Sequence, residues 1–145
     1  MSDMPPPGAP ESPDARVLRP PGWAPPRGYS DGMVAEGRHV VLAGQVGWNP
    51  TACLFERSDM AGQVEQALRN VATLLADAGA APRHLVRLTW YVTDRAAYLD
   101  ARREIGRAYR EIIGMHYPPM TVVIVSGLIE EDALVEIEAT AVIPE

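Results

Sequence analysis

The strongest constraint on this chain is an alternation between two hydrophobic periods. Residues 59–78 carry apolar side chains at intervals of three and four: Met60, Val64, Ala67, Leu68, Val71, Leu74, Leu75 and Ala78. That spacing is one face of an α-helix, which Asp59 can cap and which Gly79 and Pro82 end. Residues 85–92 then switch to a period of two. Val86, Leu88, Trp90 and Val92 alternate with Arg87, Thr89 and Tyr91, which makes a strand with one apolar face. A second helical stripe runs from Asp94 through Tyr98, Ala101, Ile105, Ala108, Tyr109 and Ile112 to Gly114. Its other side carries Arg102, Arg103, Arg107 and Arg110 among Asp100, Glu104 and Glu111, a solvated face with i,i+3 and i,i+4 pairs. Two strands, 121–126 and 133–143, finish the chain.

Upstream, residues 33–35 and 39–43 are short β-like runs, and Glu36-Gly37-Arg38 between them reads as a hairpin turn. Residues 44–50 read as a loop from their Gly, Asn and Pro content. The order ββαβαββ predicts an α+β domain, a single mixed sheet with both helices on one face. That leaves the other face uncovered. Val123, Val125, Leu134 and Val142 would sit on it among Glu136, Glu138, Arg87 and Tyr91. A mixed apolar and charged face of this kind predicts packing against further copies of the chain.

Nine of the 14 prolines lie in the first 26 residues. Proline removes backbone donors and fixes φ, so this stretch suits neither helix nor sheet. Residues 1–27 are therefore read as a Pro-rich disordered tail and extended lead-in, and residues 28–145 as the domain. Whether Val17, Leu18 and Trp23 dock on the domain is left open.

Composition removes several chemistries. All 13 basic residues are Arg, so no side chain can form a Schiff base or anchor pyridoxal phosphate. A net charge of −6 argues against an electrostatic grip on nucleic acid. The single Cys53 excludes an internal disulfide and reads as a small buried or half-buried thiol. His39, His84 and His116 lie in three different elements, so no metal site is expected. No apolar run is long enough to span a membrane, and the first residues lack a secretory signal, so the expected location is the cytoplasm.

Three places can carry chemistry. Glu136 stands between Val135 and Ile137 in a strand. Covered by another copy, its carboxylate would be partly desolvated and suited to general acid/base work on a water. Read alone, Glu136 and Glu138 are more simply a solvated strand face or partners of Arg across an interface. The turn His116-Tyr117-Pro118-Pro119 holds Met120 and Thr121 at a defined position. In Gly44-Gln45-Val46-Gly47, glycine permits close backbone approach to a ligand.

Five stretches resemble one known family. Gly28-Tyr29-Ser30 followed by Val40-Val41-Leu42-Ala43-Gly44-Gln45-Val46-Gly47 resembles the GPYSQ…YxSGQ[IV]G pattern of the RidA/YjgF family, also called the endoribonuclease L-PSP family. Gln66-Ala67-Leu68-Arg69-Asn70-Val71, Leu85 to Asp94, the turn Pro118-Pro119-Met120-Thr121, and Val135 to Val142 are similar to its later motifs, in the same order over residues 28–143. The resemblance implies a chorismate-mutase-like (YjgF-like) fold, a homotrimer and a small-molecule ligand in each inter-subunit cleft. It implies hydrolysis of enamines or imines with ammonia release, without metal or organic cofactor.

Carried over position by position, the water-ordering glutamate is Glu136, the tyrosine is Tyr29 and the substrate-contacting glycine is Gly44. Trp48, Met120, Thr121 and Val122 complete the expected binding residues. One departure stands out. Where the family presents an arginine to the substrate carboxylate, this chain has Met120. Losing one side of a desolvated ion pair costs about 3–5 kcal/mol, roughly a hundredfold to a few thousandfold in affinity. The expectation is a C–N hydrolase that handles simple 2-aminoacrylate-type imino acids poorly, with a non-catalytic trimeric metabolite-binding module as the alternative.

Overall fold

The computed structural model describes residues 15–145. The stretch expected to be a tail lies almost wholly outside the described residues. The elements are β1 (Ala15–Val17), β2 (Met33–Ala35), β3 (Arg38–Val46), α1 (Met60–Asp77), β4 (Leu85–Val92), α2 (Arg95–Asp100), α3 (Arg102–Ile112), β5 (Met120–Ile124) and β6 (Val135–Ile143). Four strands form the main sheet in the order β3-β6-β4-β5. β6 runs antiparallel to both neighbours, while β4 and β5 are parallel, so the sheet is mixed. α1 packs on β3 and β6, and α3 packs on α1. This is the expected α+β ββαβαββ arrangement, with α2 and α3 as one interrupted helix.

The elements form for local reasons. The Asp59 carboxylate accepts the Gly62 N–H at 3.0 Å and caps α1. At the other end the Ala80 N–H reaches back to the Leu75 carbonyl at 2.8 Å, closing the last turn around Gly79. Met60, Val64, Ala67, Leu68, Val71 and Leu75 are buried, while Leu74 and Ala78, at the margin of the stripe, are exposed. Under them lie Leu88, Trp90, Val92, Val135, Ile137, Ala139 and Ala141. Full burial of a large apolar side chain stabilises by about 1.5–3 kcal/mol, so this single core carries most of the fold.

Several expectations change. β2 does not form a hairpin with β3; it pairs antiparallel with β1 in a separate two-stranded sheet. Gly37 lies so close to the end of β6 that a Cβ there would sit 2.1 Å from the Ile143 carbonyl oxygen. The chain therefore runs past β6 and diverges from β2. The lead-in thus contains a paired strand, with Val17 and Leu18 half-buried and Trp23 exposed. The second helix breaks at Ala101, where the Arg102 side chain takes the Leu99 carbonyl at 3.0 Å. β4 buries Leu85 rather than Val86, because its register with β6 shifts between Leu85 and Arg87. Leu134 packs against the core instead of the uncovered face. Cys53 is exposed, not buried, and takes φ 56° in a turn where Asn49 accepts its N–H at 2.8 Å.

Candidate functional site

The uncovered face of the sheet is ordered in rows of paired residues. One row runs Val46, Glu136, Tyr91, Val123 from β3 to β5. The next holds Glu138, Thr89 and Thr121, and the one after it Val41, Thr140 and Arg87. Val41 is 76% exposed and Val123 38%. Apolar side chains therefore frame a charged centre.

The residues predicted to form a loop after position 43 instead continue β3 to Val46 through a bulge, since the register with β6 shifts between Leu42 and Gln45. Gly44 sits in this bulge. A Cβ there would lie 2.3 Å from the Glu136 Oε1, so only glycine leaves room for the carboxylate in its observed position. Gly47 answers a different need: a Cβ would meet the Gln63 backbone oxygen of α1 at 2.3 Å. Two glycines three residues apart thus have separate causes, one in packing and one beside the candidate acid/base.

Tyr91 donates its hydroxyl to Glu138 Oε1 at 2.6 Å. That hydrogen bond, some burial, and the charges of Glu138 and Glu136 hold the phenol above its ordinary pKa, with Arg87 working against them. Tyr91 is therefore a protonated donor at neutral pH, held by one glutamate beside the other.

The other predicted residues fall in three places. Thr121 lies on the outer face with Thr89. Met120 and Val122 pair with Leu88 and Trp90, and their side chains pack against the core on the helix side. Within one chain, Met120 and Glu136 therefore sit on opposite sides of the sheet. Tyr29 lies beside the edge of β5: the next residue, Ser30, bridges to Pro119, and its hydroxyl donates to the Tyr117 carbonyl. Trp48 is half-buried and tilted against Phe55, with ring centroids 5.8 Å apart.

Two buried amides absent from the predicted site hold this arrangement. Gln63 accepts the Leu134 N–H at 2.7 Å and donates to the carbonyls of Asp132 and Arg57 at 3.0 and 3.2 Å. It ties α1 to the segment that enters β6 just before Glu136. Asn70 donates to the carbonyls of Val46 and Trp48 at 3.2 and 2.9 Å, which fixes the exit from β3. The available signal was a polar residue falling on the buried stripe of a helix.

Among the described residues no three His, Cys, Asp or Glu side chains converge as metal ligands. No helix among them is long and apolar enough to cross a membrane.

Known proteins share this architecture. The family described as Endoribonuclease L-PSP matches residues 22–143. The chain belongs to the RidA/YjgF family. A member from Yersinia pestis, a Rid family protein described as of unknown function, is 33% identical with a TM-score of 0.78, covering 90% of this chain and 99% of that one. RidA from an Antarctic Psychrobacter is 26% identical with a TM-score of 0.64, covering 79% of this chain and 88% of its own. A RutC family protein of Pyrococcus horikoshii is 30% identical over 113 residues, 78% of this chain and 85% of that protein. The YjgF fold expected from the motifs is therefore present.

Proposed function

We propose that this chain is a cofactor-independent hydrolase of small imines or enamines, acting as a homotrimer whose copies cover the outer sheet face. The Glu136 carboxylate, set against Gly44 on that face, is the observation that carries the reading. An enamine first tautomerises to its imine. Glu136 takes a proton from a bound water as the oxygen adds to the imine carbon. It returns that proton to the nitrogen to give a carbinolamine; the hydroxyl proton then passes through Glu136 to the same nitrogen, which leaves as ammonia while the carbonyl product forms. Covering the face with a second copy removes bulk water and strengthens each charge interaction there. Tyr29, Gly44, Trp48 and Thr121 would border the cleft once copies assemble. The exposed Val41 and Val123 supply apolar area for that assembly.

β5 is the edge strand of the sheet, so Met120 would meet the cleft of a second copy rather than the Glu136 of its own chain, and there it sets the substrate range. With no guanidinium at this position, simple 2-aminoacrylate-type imino acids are poor substrates. The test is ammonia release from a panel of imines generated in the assay. Wild type accelerates release from larger or less charged imines, and Met120→Arg moves the preference toward simple imino acids by about tenfold or more. The same absent guanidinium favours a second reading, a non-catalytic binding trimer. That reading wins if no imine is turned over while one metabolite raises the melting temperature.

A further inference from the structure

One arginine of the lead-in borders a small hollow. A cavity of about 120 Å³ opens beside β5, between the lead-in and the loop before β2. Arg19, Trp23, Tyr29, Asp31 and three lead-in prolines line it. Trp23 is 64% exposed and Tyr29 40%, so two aromatic rings face solvent around one small hollow. Isolated apolar residues on a surface need no explanation, but two aromatics and a proline wall around a cation form a concave, mostly apolar site with few polar groups. Among the described residues no carboxylate engages the Arg19 guanidinium.

We propose that this pocket binds a small aromatic or other flat apolar carboxylate, with the carboxylate on Arg19 and the apolar body between Trp23 and Tyr29. Arginine presents two parallel N–H donors that match a carboxylate, and prolines and aromatic rings give a rigid apolar wall. Asp31 on the rim selects by charge. It repels every anion, but a phosphate near −2 about twice as strongly as a carboxylate of −1. The lead-in, read from its prolines as an extended stretch, thereby acts as one wall of a binding site. The site shares Tyr29 with the proposed hydrolase cleft. Glu136 and Gly44 do not line it, and binding here does not require hydrolysis.

The probes are phenylacetate, its uncharged analogue phenylacetamide, and phenyl phosphate, titrated to millimolar concentration. Trp90 is fully buried and Trp48 half-buried, so the change in emission on binding reports mainly on Trp23. Phenylacetate alters Trp23 emission and binds more tightly than either analogue. Arg19→Gln weakens phenylacetate by about tenfold to a hundredfold and leaves phenylacetamide unchanged, the scale of a charge-assisted hydrogen bond. Asp31→Asn tightens phenylacetate several-fold, a gain that misfolding would not produce. Glu136→Gln leaves all three affinities unchanged, so loss of hydrolysis and loss of this site read out separately. Equal binding of phenylacetate and phenylacetamide, an unchanged Arg19→Gln, or no response to any probe overturns the proposal.

Discussion

The two faces of the main sheet are built from the same strands and behave as different materials. On the helix side, β4 and β6 present Leu88, Trp90, Val92, Val135 and Ile137, all at 0% exposure. One residue along, the same strands present Tyr91, Thr89, Glu136 and Glu138 to the outside. The inner face is complete within a single chain. The outer face is not, since it holds two carboxylates and a phenol inside a frame of exposed valines. Alternation at period two gives one strand a buried side and an open side, and the proposed chemistry lies on the open one, so substitutions on the two sides should fail differently.

The largest effect belongs to the inner face. Trp90→Ala empties the largest fully buried side chain of the core and lowers unfolding free energy by about 3–5 kcal/mol, measured by denaturant titration. A loss below about 1 kcal/mol would mean that the inner face is not the structural one. Gly44→Ala tests the outer face. Its new methyl displaces the flexible end of Glu136, so stability changes by no more than about 1 kcal/mol. Misplacing the carboxylate by an ångström lowers kcat/KM about a hundredfold. Equal loss of stability and activity would erase the contrast between the faces.

The smallest effect sharpens the inner side through pH. Burial holds the His116 imidazole below its ordinary pKa, and the charge of His84 adds to this, although the hydrogen bond to the Leu85 carbonyl opposes it. The unfolded chain therefore binds a proton more readily than the folded one. This contribution to stability is complete above the unfolded pKa near 6.5 and is lost as pH falls below it. Melting temperature should drop between pH 7 and pH 5, and His116→Asn should flatten that slope. A variant with the wild-type slope would assign the drop to other groups.

Much of this was legible in the sequence, and the exceptions share a cause. The stripes of α1 and α3 and the alternation of β4 and β6 were readable because each face meets one uniform environment. Glu136 and Gly44 were readable as separate candidates through the motifs that flank them. Their contact was not, because it depends on a bulge between Leu42 and Gln45 that no local pattern announces. Met120 was readable as a replaced arginine, but its inward direction follows from the pairing with Leu88 across a crossover. β1 pairing with β2 was hidden for the same reason: short strands take the partner that tertiary geometry delivers. Arg19 was hidden by its surroundings, since a proline-rich lead-in reads only as an extended stretch until Trp23 and Tyr29 are seen to share one hollow.

The central claim is that the outer face performs chemistry through one carboxylate. Its most direct test is the rate of ammonia release by Glu136→Gln beside wild type, on the best imine of the panel, at equal melting temperature. The amide keeps the shape of the side chain and loses the base, so the rate should fall by about a hundredfold or more while the fold is unchanged. A Glu136→Gln protein as fast as wild type would contradict the account.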